Sequence, residues 1–441
     1  MSSLKDDNPM VNKGNKRNIV VFIRSHNDFD HVLPILDYLI NVKLLDVVIY
    51  GIPNGYEKCE KHLSYVAEML KMDVIRFDKI HYNSFDKFLL EITNLIQNLI
   101  HKQQKFKLYI LNLFFILILS NLRRFIQLVL SVSIRKFIKK LPDNTVILAD
   151  FATESHFPYK YFIKYSNAFN ISIVSYLHGY YIFDNLNVLD PMNPRLSKTY
   201  IDLFDKYLLG RWRGEYYDSY LVGPYQKDKY FKSDMYSDFR KLSRVIEIGI
   251  PRFTREWINK FSTGQLYNKK DFVNSNIKVA LFVSNVRFSV NIDALNNLIN
   301  KLSLADGIDI KIAPHTRGEV IKIGCNNVLA TQKSSSEIIQ WADVGIVWGT
   351  SMVFEMLIRN VTVIIPKFID SNTTIFEGKG VCIESDSIEG LIESIYNVKS
   401  EENKIIGKSI DKFINEYVYG NFSTYEEVMN KFYYHIINSK K

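Results

Sequence analysis

Ser334-Ser-Ser-Glu-Ile-Ile-Gln-Trp-Ala-Asp343 runs into Val344-Gly-Ile-Val-Trp-Gly-Thr-Ser351, then into Met352-Val-Phe-Glu355, and the segment closes at Thr362-Val-Ile-Ile-Pro366. The apolar run Val344 to Trp348 has the length and flanks of a buried strand. Gly349 lets backbone approach a ligand closely, and Thr350 and Ser351 are suited to opening a helix. First-turn N–H groups and two hydroxyls there would make an anion site for a phosphate or pyrophosphate. Glu355 follows Ser351 by one helical turn on the same face, where a carboxylate can accept from both hydroxyls of a ribose. Alone, the segment also fits an ordinary helix cap with a solvated Glu355. Either way it is a strand-turn-helix-strand unit, the building block of a doubly wound α/β sheet.

The segments before it extend the pattern. Lys278-Val-Ala-Leu-Phe-Val283 and Ile308-Asp-Ile-Lys-Ile-Ala313 read as strands, with helices at Asp293 to Leu304, Ser336 to Trp341 and Ser351 to Ile358. Pro314-His315-Thr-Arg317 stands at a strand's carboxyl end, where open α/β sheets bind ligands. His315 can donate to a phosphate or sugar oxygen, and Arg317 can form a bidentate pair. Gly249-Ile-Pro-Arg252 follows the strand-like Val245-Ile-Glu-Ile248 and either brings Arg252 to a phosphate or simply turns the chain into a helix.

A second alternating series fills the first half. Strands are expected at Asn18 to Ile23, Asp46 to Tyr50, Asp73 to Phe77, Thr145 to Ala149 and Ile171 to Tyr176, with a polar loop after the first and a helix from Val32 to Ile40. A long helical block spans about Ser84 to Lys140, apolar in the middle and basic at Lys102, Lys105, Lys107, Arg123, Arg124, Arg135, Lys136, Lys139 and Lys140. It fits a buried core helix, or a peripheral contact with an anionic membrane surface through Lys102–Lys140. Its most apolar run, Leu108 to Leu119, is shorter than the roughly 20 residues that span a bilayer.

At 441 residues with 47% apolar, the chain exceeds what one core supports, so two domains with a cleft are expected. The expected divisions are a disordered tail at 1–17, an N-terminal Rossmann-like domain at 18–245, a C-terminal Rossmann-like domain at 246–422, and a helix at 423–441 packing back on the first domain. A net charge of +9 suits phosphorylated small molecules, anionic membrane or nucleic acid. Nucleic acid is disfavoured because the basic residues sit beside an apolar run, away from exposed aromatics. Cys59, Cys325 and Cys382 are too few and too scattered for a disulfide framework or a cysteine zinc site, as expected of a reducing cytoplasm. The tail has no apolar signal segment.

First-half candidates lie at strand ends. Ser25-His26-Asn27-Asp28-Phe29-Asp30-His31 follows the first strand, and Asp30 could deprotonate an acceptor hydroxyl. Asp28-Phe-Asp30 resembles a metal-binding D-x-D in the wrong context, so no metal is expected. His178, in Leu177-His-Gly-Tyr180, is the alternative base, ahead of Asp150, Glu154 and His156. The glycine signatures of dinucleotide and P-loop sites are absent, as are the zincin and hydrolase motifs.

In order, Leu177-His-Gly179, Asp205-Lys-Tyr-Leu-Leu-Gly210, Ile248-Gly-Ile-Pro-Arg252, Pro314-His315, Ser336-Glu-Ile-Ile, Ala342-Asp343, Thr350-Ser351 and Phe354-Glu355 resemble bacterial surface and capsule polysaccharide transferases. CDP-glycerol glycerophosphotransferases and UDP-GlcNAc 2-epimerases are more distantly similar. The likeness covers about residues 145 to 395. It departs where Thr316 replaces a second proline and where Gly349-Thr-Ser351 replaces paired serines.

The resemblance implies a GT-B fold of two Rossmann-like domains and transfer without metal or other cofactor. A nucleotide sugar would be held by Arg252, His315, Arg317, Gly349, Thr350, Ser351 and Glu355, and a glycan or lipid-linked glycan acceptor by the first domain, with Asp30 or His178 as base. The expected enzyme is a cytoplasmic glycosyltransferase at the inner face of the cell membrane. The alternatives are a nucleotide-sugar 2-epimerase and a non-catalytic membrane scaffold.

Overall fold

The computed structural model describes residues 17–53, 55–103, 109–151, 154, 156–177, 179–185, 215–231, 243–261, 276–283, 290–314, 334–399 and 404–439. In chain order the strands are β1 Asn18–Ile23, β2 Asp46–Gly51, β3 Val74–Arg76, β4 Thr145–Asp150, β5 Ser172–Tyr176, β6 Phe183–Asn185, β7 Ser219–Val222, β8 Val245–Glu247, β9 Ile277–Val283, β10 Ile308–Pro314, β11 Val344–Val347, β12 Thr362–Pro366, β13 Thr373–Thr374 and β14 Ile383–Ser385. They form a seven-stranded sheet, β3-β2-β1-β4-β5-β7-β8, a five-stranded sheet, β10-β9-β11-β12-β14, and a small antiparallel pair, β13-β6.

In the first sheet β1 pairs in parallel with β2 and with β4, so Val20 stands opposite both Val48 and Ile147. A parallel strand covered by helices on both faces has no wet side, and Ile19 through Ile23 are all buried. The strand order turns back on either side of β1 in the first sheet and of β9 in the second. Ligands of doubly wound sheets bind at the carboxyl ends of the strands at such reversals.

Two compact units are present. One comprises Met1–His178, Leu208–Leu221 and Asn430–Lys441; the other comprises Gly179–Tyr207 and Val222–Met429. The first buries Phe22 against Phe162, with ring centroids 4.0 Å apart. In the second, Val279 and Leu281 pack with Leu295, Leu298 and Ile299 of the helix Ile292–Leu304 and with Ile346 of β11.

Four features depart from the sequence expectation. The polar stretch after β1 is helical from the start: the helix is His26–Asp37, continued as a π-turn over Tyr38–Val42. Its opening turn is stabilised by Asp28, whose carboxylate accepts from the Arg24 N–H and the Ser25 hydroxyl. The helical block is two helices, Ser84–Gln103 and Tyr109–Lys139, and no described helix is long and apolar enough to cross a membrane. The helix expected from Ser351 begins at Val353 and ends at Ile358. The stretch after Tyr216, expected as connection, contains β7, β8 and the helices Gln226–Phe231 and Arg255–Phe261.

Candidate functional site

At the end of β11 the chain turns on Gly349, whose φ of 61° lies in the left-handed region. A side chain is strained there, which accounts for glycine at this point. Thr350 and Ser351 therefore sit in the turn, three and two residues before the first helical residue, Val353. The Thr350 hydroxyl accepts the Met352 N–H at 3.3 Å, and the Ser351 carbonyl accepts the Phe354 N–H at 3.2 Å. The strand end rims a small recess whose lining includes Trp348, Gly349, Thr350, Asn372, Thr374 and Glu377. Trp348 is 2% exposed, and its indole N–H has no hydrogen-bond partner among the described residues.

The loop after β12 makes the opposite wall. Lys367 holds it shut by donating to the Asn372 carbonyl at 2.7 Å and pairing with Glu377 at 3.3 Å. Glu377 in turn accepts the Thr374 N–H at 2.8 Å. Ile182, which precedes β6, completes the recess. Asn372, Thr374, Glu377 and Ile182 carry no motif; the β13-β6 pairing and the Lys367 contacts bring them here.

Glu355 is buried inside the unit. Its Oε1 accepts from Arg359 Nε at 3.1 Å and its Oε2 from the Ser336 hydroxyl at 3.0 Å. A ribose could use only the remaining lone pairs of those oxygens. Arg252 lies in a tight 3-10 turn, Pro251–Phe253, with its guanidinium 3.8 Å from the Met352 sulfur and over the Phe253 ring at 4.8 Å. It is thus brought beside the Thr350–Ser351 turn. Gly249 has a packing reason: a Cβ there would stand 2.7 Å from the Val418 carbonyl oxygen. His315 and Arg317 lie outside the described residues, as does His178.

In the first unit, Asp30, in the helix that follows β1, is largely buried between two imidazoles. His62 Nε2 is 2.6 Å from its Oδ1, and His26 Nδ1 is 3.2 Å from its Oδ2. The His62 ring is stacked on Phe29, whereas the His26 side chain is 58% exposed. The ligating atoms of His26, Asp30 and His62 all lie within 4.8 Å of one another, a set that could accept a metal ion. Asp28 is not part of it, because Asp28 is buried and turned to the helix start, so the D-x-D spacing does not produce a paired-carboxylate site.

Beyond β4, Asp150 is fully buried and its carbonyl accepts the Tyr217 hydroxyl at 3.0 Å, while Glu154 accepts from Tyr220 at 2.8 Å. Burial, then the charges of Arg24 and Arg123, hold the His156 imidazole below its usual pKa. Burial, followed by Arg123 and Arg124, lowers Lys160 to about 8.

No protein-family model matches the chain, and no curated protein matches it. Among solved structures, a protein described as a UDP-N-acetylglucosamine 2-epimerase from Listeria monocytogenes is similar with a TM-score of 0.51 and 10% identity, over 96% of this chain and 96% of that one. The glycotransferase of kitacinnamycin is similar with a TM-score of 0.50 and 10% identity, over 96% and 99%. At such identity the likeness is one of fold. The chain has the GT-B fold, with two Rossmann-like α/β units.

Proposed function

We propose that the chain is a glycosyltransferase that takes a nucleotide-activated sugar in its second unit and a glycan acceptor in its first. The observation that carries this is the recess at the end of β11. There a left-handed glycine and a hydroxyl-bearing turn, next to a buried tryptophan whose indole N–H has no described partner, stand at the carboxyl ends of the parallel strands β11 and β12. An orphaned buried donor is costly in the free protein, so an acceptor oxygen from a ligand is the natural complement. Arg252, beside the same turn, supplies a cation for the leaving phosphate, with the Thr350 and Ser351 hydroxyls.

For the acceptor, the base is His26 held by Asp30. Asp30 lies between two imidazoles, and the more exposed of them, His26, is the one an incoming hydroxyl can reach. The motif order supports a place in bacterial surface polysaccharide synthesis. The apolar faces of Ser84–Gln103 and Tyr109–Lys139, beside exposed Arg135, Lys136, Lys139 and Lys140, support work at an anionic bilayer.

A thermal-shift screen with UDP, CMP, CDP, GDP and their sugars tests the donor part, since a ligand selective for the folded state raises its melting temperature. One nucleotide series is expected to stabilise the protein. No shift with any of them would end the proposal. Incubation with the stabilising sugar nucleotide alone separates the epimerase, which would alter the sugar without an acceptor.

A further inference from the structure

The carboxyl ends of β1 and β4 hold a group of cations that the proposed chemistry does not use. Arg24 is the first residue after β1, and Lys160 is in the helix Tyr159–Ala168 that follows β4. Arg123 comes from the helix Tyr109–Lys139, one turn before Gln127, whose side-chain oxygen accepts from Lys160 at 3.0 Å. The Nε atoms of Arg24 and Arg123 are both buried and have no hydrogen-bond partner, and neither guanidinium forms an ion pair among the described residues. The hydroxyl of Tyr159, itself fully buried, is without a partner among the described residues too. All three side chains are close enough to share neighbours: Arg24 and Arg123 both act on His156, and Arg24 acts on Tyr159.

A guanidinium cannot shed its proton to relieve burial. Leaving a buried donor unmade costs on the order of 1–3 kcal/mol, more when it is charged. Two such donors and an orphaned hydroxyl at one reversal point are therefore incomplete without an acceptor group. Of the nearby carboxylates, Asp28 is committed to the helix start and Glu154 to Tyr220, and Asp150, fully buried at the end of β4, forms no ion pair with either guanidinium among the described residues.

We propose that Arg24, Arg123 and Lys160 form an anion site in the first unit that binds a phosphate group of the acceptor, a site distinct from the nucleotide recess of the second unit. It rests on the first unit being the acceptor unit. Two guanidinium forks and an ammonium match the several oxygens of a phosphate better than the two of a carboxylate.

The test uses the full chain and its Arg123→Gln and Lys160→Met variants, titrated calorimetrically with phenyl phosphate, with benzoate at equal ionic strength, and separately with the nucleotide that stabilises the wild type. Phenyl phosphate is expected to bind the wild type and to lose at least tenfold in affinity in each variant, with nucleotide affinity unchanged. Equal phenyl phosphate affinity in all three proteins, or none in the wild type, would overturn the site. Tighter binding of benzoate would overturn the phosphate assignment. If Arg123→Gln does not fold, Arg123→Lys, which keeps the charge and loses the fork, is expected to weaken phenyl phosphate and leave nucleotide alone. A wild type that binds phenyl phosphate and no nucleotide would sink the donor reading while leaving this site standing.

Discussion

Glu355 and Arg359 form an ion pair one helical turn apart, 3.1 Å between Oε1 and Nε, with the Ser336 hydroxyl on the other carboxylate oxygen. Both side chains are largely buried, so the pair ties the helix Val353–Ile358 to the helix Ser335–Trp341. Removing one partner of a buried pair leaves the other charge uncompensated, at a cost of about 3 kcal/mol or more. Glu355→Ala is therefore expected to lower the urea midpoint as well as any ligand binding. Glu355→Gln keeps the shape and one acceptor oxygen. If Glu355 also binds ribose, the Gln variant should stay folded and lose about tenfold in nucleotide affinity; unchanged affinity would make the residue structural.

Gly349 gives a cleaner separation of site from stability. Gly349→Ala forces a side chain into φ 61°, which costs about 1 kcal/mol, and adds a methyl at the rim of the recess. Nucleotide affinity is expected to fall beyond what the stability change explains. Gly345, four residues earlier in β11, is the control. A Cβ there would come 2.7 Å from the Met356 sulfur, inside the unit, so Gly345→Ala should destabilise while leaving affinity intact. Equal loss of affinity in both variants would mean that the recess is not the nucleotide site.

How far sequence reading reached is visible in these same elements. The strands were legible because a parallel strand buried on both faces leaves an unbroken apolar run, as Ile19 to Ile23 and Val344 to Val347 do. The helix after β1 was misread because its first turn carries His26, Asn27 and Asp28, a polar start fixed by an Asp28 contact that apolar periodicity does not register. Thr350 and Ser351 were misplaced in the helix, since the left-handed Gly349 is followed by a turn before the helix begins at Val353. Asn372, Thr374 and Glu377 went unseen, because what makes them lining residues is a two-residue strand pairing with β6 across nearly two hundred positions. The partnerless Nε atoms of Arg24 and Arg123 are a tertiary property with no sequence pattern at all.

The assignment of His26 as base predicts an asymmetry around Asp30. His26→Ala should lower kcat by about 100-fold or more, the usual contribution of a positioned base. Its side chain is 58% exposed, so stability should barely change. Asp30→Asn should lower kcat and alter the pH profile, because the carboxylate that orients the imidazole is gone. Full activity in His26→Ala would remove His26 from the mechanism and return the role to Asp30 or His178.

Lys160 makes the protein's stability depend on pH in a stated window. Its folded pKa, about 8, lies below the ordinary 10.5, through burial first and then Arg123 and Arg124. Between those values the unfolded chain binds more protons, so stability rises with pH. The contribution is complete above 10.5 and is lost as pH falls through about 8. Compared with Lys160→Met, the wild type should gain in urea midpoint between pH 8 and pH 10. A difference that stays flat across that range would show that Lys160 is not perturbed.

The proposed work at an anionic bilayer makes a prediction for the helical pair. Phe85, Phe88, Leu95 and Leu99 line one exposed stripe of the helix Ser84–Gln103, and Ile118, Leu122, Phe125, Leu128 and Val132 line another on Tyr109–Lys139. Spacings of three and four put each set on one helical face. Interior residues do not explain them, because the buried sides of the same helices carry Ile96 on the one and Ile126, Leu130 and Ile134 on the other. With neither helix able to span, the proposed in-plane contact with anionic lipid would use both the apolar stripes and the cations at the end of the second helix. Each large apolar side chain inserted contributes about 2 kcal/mol. Phe125→Asp with Leu128→Asp should therefore cut co-sedimentation with phosphatidylglycerol vesicles by tenfold or more and leave nucleotide binding intact. Binding to neutral vesicles as strong as to anionic ones would contradict the role of the cations. A wild type that elutes as a dimer and ignores vesicles would assign the stripes to a second copy of the chain.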